Sequence, residues 1–120
     1  MKQKNLTLIA LILLGLGVLI GAFGAHGLKN LVEEKYLETF KTGVTYHFYH
    51  ALGLLILSRF DTVNIFKLSP KLILSGMMIF SFNCYLYTLT QQKAFAMIVP
   101  IGGVLMVAGW MVAAFESRKA

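Results

Sequence analysis

Residues 6–25 read LTLIALILLGLGVLIGAFGA, a run without a charge, and three more uncharged apolar blocks follow at 42–58, 72–90 and 94–115. A bilayer's hydrocarbon core, about 30 Å thick, takes roughly 20 helical residues to cross. It offers no water, so every buried backbone amide must be bonded within its own helix. The sequence therefore predicts an all-α integral membrane protein with four transmembrane helices over about 6–25, 42–58, 72–90 and 94–115, forming one transmembrane domain across residues 1–120.

Composition agrees. Hydrophobic residues make up 58% of the chain and charged residues 13%, with mean hydropathy +0.73, where soluble domains carry about 25% charged residues. The longest gaps, Gly27 to Lys41 and Arg59 to Lys71, are too short to bury a second core. Lys2 and Lys4 before an apolar run ending in small residues resemble a secretory signal. The run is longer than a signal core of about 7 to 15 residues and three more blocks follow, so it reads as a retained span. Cys84 stands alone inside the third block, which rules out a disulfide framework.

The formal charge of +6 need not indicate nucleic acid, because the basic residues lie between the apolar blocks. Four spans put the N-terminus, the 59–71 gap and the C-terminal tail on one side, with Lys2, Lys4, Arg59, Lys67, Lys71, Arg118 and Lys119. The other side holds Lys29, Lys35, Lys41 and Lys93, offset by Glu33, Glu34 and Glu38. The positive-inside rule then predicts a multi-pass protein of the cell (inner or plasma) membrane with both termini cytoplasmic.

Between the first two blocks, Leu28, Val32, Tyr36 and Phe40 recur every four residues, with Glu33, Glu34, Glu38 and Lys41 on the other flank. This spacing predicts a short amphipathic helix lying at the interface. The gap of Gln91, Gln92 and Lys93 forces the third and fourth spans into an antiparallel hairpin. Gly17, Gly21 and Ala25 form a small-xxx-small ridge that should admit a neighbouring backbone and make the first helix central. Pro100, Gly102 and Gly103 should interrupt the fourth span, and Gly102 and Gly103 are further packing candidates. Tyr46, Phe95, Trp110 and Phe115 read as interfacial aromatics.

No Asp, Glu, Lys or Arg occurs within the four blocks. Small multidrug exporters share this length and span count but depend on a membrane-embedded carboxylate, which is missing. The remaining polar side chains gather, at about 1.5 Å per residue, in one leaflet. His26, His47, His50, Asn83 and Tyr87 are thus the candidate polar pocket. His47 and His50, three residues apart, with His26 nearby, invite a metal or haem reading. Without a carboxylate or thiolate at ligand spacing, the expectation is no metal and no cofactor. No Ser, His and Asp set or carboxylate pair can meet inside such a bundle, so no catalytic residue and no enzyme are expected.

Gly21-Ala22-Phe23-Gly24-Ala25-His26-Gly27, Thr42-Gly43 with Tyr46 and His50, Phe82 with Leu86-Tyr87-Thr88-Leu89, and Pro100-Ile101-Gly102-Gly103 with Gly109-Trp110 together resemble the YgdD/YwdK family. The resemblance covers nearly the whole chain. It implies a small multi-pass bacterial inner-membrane protein and supplies no catalytic residues. One departure stands out. Where the family pattern reads Phe-Ser-Gly-Ser-Leu-Tyr, this chain has Phe82-Asn83-Cys84-Tyr85-Leu86-Tyr87, placing Cys84 at a glycine and Tyr85 at a serine.

The expected function is that of a non-enzymatic accessory or membrane-stabilising subunit. Its expected partners are the lipid bilayer and either further copies of itself, as a homo-oligomer, or a larger membrane complex, with no nucleic acid. The alternative is a facilitator or binding protein for a small neutral or amphipathic solute, using a polar pocket in the outer half of the bundle.

Overall fold

The computed structural model describes the backbone of residues 1–120 and every side chain except that of Ala25. It is all-helical: α1 (Gln3–Leu28), α2 (Glu34–Leu57), α3 (Ser69–Thr90) and α4 (Lys93–Glu116), ending in one 3-10 turn, Ser117–Lys119. Three helices, α1, α3 and α4 with its 3-10 extension, are long and apolar enough to cross a membrane. The 24 residues of α2 include Glu34, Lys35, Glu38 and Lys41 near its start, which leaves a shorter apolar stretch.

The separate interfacial helix expected before the second span does not exist as such. Tyr36 and Phe40 belong to the first two turns of α2, which runs unbroken from Glu34 into the apolar block. The chain breaks earlier, at 29–33, where Leu31 and Val32 N–H both donate to the Leu28 carbonyl. Glu33 is extended (φ −65°, ψ 155°), and Glu34 in the first turn suits the positive end of the helix dipole. The repeat of four therefore marks the buried side of a longer helix, with Leu37, Phe40, Gly43 and His47 turned inward.

The helices pack in chain order, α1 on α2, α2 on α3, and α3 on α4. The molecule measures 49 × 26 × 16 Å. The middle positions belong to α2 and α3, and α1, expected at the centre, lies at the edge. Gly17 and Gly21 face side chains where a backbone was expected. A Cβ on Gly17 would lie 3.0 Å from Phe48 Cζ, and one on Gly21 would lie 3.2 Å from Val44 Cγ1. The Ala25 side chain falls outside the described residues.

Backbone meets backbone between α3 and α4. A Cβ on Gly76 would lie 2.6 Å from the Met106 nitrogen, and one on Gly109 would lie 2.9 Å from the Ile73 nitrogen. At Gly102 a Cβ would run into the Phe80 nitrogen and sit 2.6 Å from the Gly76 carbonyl oxygen. The buried α4 positions Gly102, Met106, Gly109 and Ala113 repeat at alternating steps of four and three, the spacing of near-parallel helix packing. Pro100 and its neighbours do not interrupt α4, which passes through them as one helix.

Both ends of the bundle are tied by polar contacts. At one end Thr62 Oγ1 donates to the Met1 carbonyl, and Gln3 Nε2 donates to the Ser58 carbonyl at 3.3 Å. There too the Glu116 carboxylate accepts from the backbone N–H groups of Lys67 (3.0 Å), Leu68 (2.9 Å) and Ser69 (3.1 Å). The Lys67 N–H is shared with the Ile65 carbonyl, whereas those of Leu68 and Ser69 have no partner within α3, so α4 caps its start. In the same loop Asp61 Oδ1 accepts from Val63 and Asn64 N–H at 2.9 and 2.8 Å. Hydrogen bonds from the Asn64 side chain and these N–H groups hold the Asp61 carboxyl below its usual range. At the other end, Gln91 closes α3 in the left-handed conformation (φ 61°), its N–H donating to the Tyr87 carbonyl at 2.7 Å.

Candidate functional site

The five side chains expected to share one pocket have different surroundings. His26 is exposed, near the end of α1. Asn83 is half-buried and turns back on its own helix, Nδ2 donating to the Ile79 carbonyl at 2.6 Å. Tyr87 packs on Tyr36, with ring centroids 5.3 Å apart. Only His47 and His50 sit deep, at 0% and 7% exposure. They stand three positions apart on α2 and serve different interfaces.

His47 joins three helices. Its Nε2 lies 2.7 Å from the Leu13 carbonyl of α1, and its Nδ1 lies 2.8 Å from the Tyr85 hydroxyl of α3. A carbonyl can only accept, so Nε2 carries the proton and donates it. Nδ1 then accepts from the Tyr85 O–H, and the ring is neutral. Two further rungs join α2 and α3. Ser81 Oγ donates to the Gly43 carbonyl at 2.7 Å, and Thr88 Oγ1 lies 3.0 Å from the Tyr36 carbonyl. Gly43 lets α3 come near at this level, since a Cβ there would be 2.8 Å from Cys84 Cβ and 3.0 Å from Tyr85 Cε1. Cys84 and Tyr85 thus lie against Gly43, and Tyr85 supplies the hydroxyl for His47.

His50 faces the other way, toward α4. Its Nδ1 lies 2.8 Å from the Tyr46 carbonyl one turn back and donates to it, which leaves Nε2 as a bare acceptor without a protein partner among the described residues. The ring is held between Tyr46 (centroids 5.9 Å, interplanar 27°) and Trp110 (5.9 Å). Trp110 was expected among the interfacial aromatics. It is half-buried, its indole seated over Gly53, where a Cβ would be 2.6 Å from Cη2.

Beside His50 an open groove of about 900 Å³ runs between α2 and α4 across one face of α3. Tyr46, Tyr49 and His50 form one wall, Phe80 the floor, and Pro100, Gly103, Val104, Val107 and Trp110 contribute to the other wall. Gly103, read as a packing residue, opens onto this groove, and a Cβ there would make ordinary contact with the Phe80 ring at 3.8 Å. Of the expected pocket only His50 lines this groove, and its aromatic walls, Tyr46, Tyr49, Phe80 and Trp110, were left out. Tyr46 and Tyr49 gave a signal in their spacing of three on α2, a pattern equally suited to an interfacial belt; Phe80 and Trp110 gave none. Among the described residues no group of three His, Cys, Asp or Glu side chains is placed to hold a metal ion.

A family model described as a protein of unknown function (DUF423) matches residues 20–103. The UPF0382 membrane protein YwdK of Bacillus subtilis (strain 168) is 37% identical over 108 residues, covering 87% of this chain and 88% of its own. The UPF0382 membrane protein SSP2132 of Staphylococcus saprophyticus is 41% identical, over 82% of this chain and 84% of its own. A UPF0382 membrane protein of Haemophilus influenzae is 36% identical over 99% of this chain and 97% of its own. No solved structure matches. With a family model spanning most of its length and relatives aligned nearly end to end, the chain belongs to the DUF423 family of UPF0382 membrane proteins.

Proposed function

We propose that the protein is a non-catalytic, four-pass protein of the cell membrane that binds a small amphipathic molecule in the groove between α2 and α4. The observation that carries this reading is the groove itself, a largely apolar space of about 900 Å³ with one buried imidazole that has an unused acceptor. Ligand sites have this character, mostly apolar walls with a few placed polar groups. In this reading α2 is the fourth span, since its buried residues lie between α1 and α3. The charge excess at the end holding Met1, the 58–69 loop and Glu116 supports a cytoplasmic position for both termini.

A second reading is an accessory subunit that self-associates or packs on a larger membrane complex. It draws on the edge helices, whose outward residues include Leu8, Leu16 and Phe23 on α1 and Met97, Ile101 and Met111 on α4. Native mass spectrometry after extraction in mild detergent separates the two. Binding predicts a monomer or small homo-oligomer carrying a low-mass amphiphile. A stoichiometric protein partner with no bound small molecule would favour the accessory reading. Topology is tested by labelling cysteines placed at Lys119 and Glu34 with an impermeant reagent in intact cells, where only the Glu34 position should react.

A further inference from the structure

We propose that the groove selects amphiphiles bearing a hydrogen-bond donor, a hydroxyl above all, taken from the bilayer, and that His50 Nε2 is the acceptor that reads it. The inference rests on the binding reading above.

The two buried histidines differ in a way that points to a ligand. His47 has both ring nitrogens engaged by the protein. His50 has one, and the bond from Nδ1 to the Tyr46 carbonyl fixes the tautomer so that Nε2 offers a lone pair. Charging the ring in a hydrocarbon setting is costly, so the group at Nε2 stays an acceptor and its complement must bring the proton. Packing between Tyr46 and Trp110 keeps the ring from turning toward another partner. An acceptor left bare inside a membrane protein costs stability unless something meets it.

The surroundings specify the rest of the molecule. Beyond His50, the polar groups on the wall include the Tyr46 and Tyr49 hydroxyls, neither hydrogen-bonded within the protein among the described residues; Phe80, Val104 and Val107 are apolar. From Pro100 to Trp110 along α4 the groove runs for about 15 Å at the rise of an α-helix, a shape for an alkyl or isoprenoid chain. Val104 and Val107 are largely exposed, so the groove opens sideways, toward lipid. A water-borne polar solute would need polar groups along the whole path, whereas a lipid-borne alcohol needs one.

Trp110 is the chain's single tryptophan and forms part of the wall, so its fluorescence reports on the groove directly. The protein in lipid nanodiscs is titrated with a chain-brominated stearyl alcohol and, separately, with the corresponding methyl ether, which keeps the oxygen and lacks the donor. The alcohol should quench Trp110 saturably at a mole fraction at least tenfold below that needed for the ether. In His50→Phe, which keeps a ring and removes the acceptor, the two probes should become equivalent. Saturable quenching by both probes at the same mole fraction in the wild type would overturn donor recognition while leaving the binding reading intact. A gap that persists in folded His50→Phe would overturn the role of His50. Quenching that only rises linearly with bulk bromine for both probes would overturn the binding reading itself.

Discussion

The α3–α4 pair and the α1–α2–α3 side of the molecule solve the same problem by opposite means. In lipid, apolar surface gains nothing by leaving one apolar surrounding for another, so helices associate through close packing and hydrogen bonds. Between α3 and α4 close packing dominates, with Gly76, Gly102 and Gly109 bringing backbone against backbone. On the other side His47, Ser81 and Thr88 carry polar rungs from helix to helix. The first device tolerates no added atom and needs no particular chemistry. The second also needs a small residue at Gly43 and, beyond that, needs its donors and acceptors matched.

The sharpest way to break the contrast is to add bulk where backbones touch. Gly102→Val should destabilise the protein by about 3 kcal/mol, the upper range for overpacking, because the new carbons meet the Phe80 backbone and not a flexible side chain tip. Gly103→Ala, with ordinary contact distances, is the control and should be nearly silent in the same thermal unfolding in detergent.

His47→Leu attacks the polar side and leaves the Leu13 carbonyl and the Tyr85 hydroxyl without their partner, at a cost of roughly 1–2 kcal/mol. A double-mutant cycle with Tyr85→Phe should give a coupling of about 0.6 kcal/mol, the average for polar contacts between membrane helices. Zero coupling would mean that the two side chains act independently.

Glu116→Ala removes the cap on α3 and should cost about 1 kcal/mol. Faster hydrogen exchange confined to Lys67, Leu68 and Ser69 would locate the loss. The smallest effect should be a gain. Gln91→Gly relieves a left-handed residue and should stabilise the hairpin by about 0.5 kcal/mol, if the freer unfolded chain does not cancel it. That gain is read as a higher melting temperature.

Much of the fold was legible because bilayer thickness dictates helix length. The long apolar blocks became α1, α3 and α4, and the gap of Gln91, Gln92 and Lys93 became their tight turn. Two features were harder. A four-residue repeat such as Leu28, Val32, Tyr36 and Phe40 cannot tell a separate surface helix from the first turns of a longer one. In addition, rise per residue gives depth but not direction around the bundle. Depth placed His47, His50 and Asn83 in one leaflet, yet His47 turns to α1 and α3, His50 to α4, and Asn83 to its own backbone. The glycines of α3 and α4 looked no different from those of α1, and only the partner atoms opposite them distinguish backbone contact from side chain contact.

The packing of each helix mainly on the next in sequence also bears on how the chain is made. A helix leaving the ribosome meets its main partner already in the membrane or immediately behind it, while the polar ties of Met1 and Gln3 wait for the 58–62 segment. Closure comes late, because α3 receives its N-terminal cap from Glu116, at the end of α4. Contacts so local favour rapid folding. Assembly can thus follow synthesis helix by helix, with the end of α4 locking the start of the helix inserted before it.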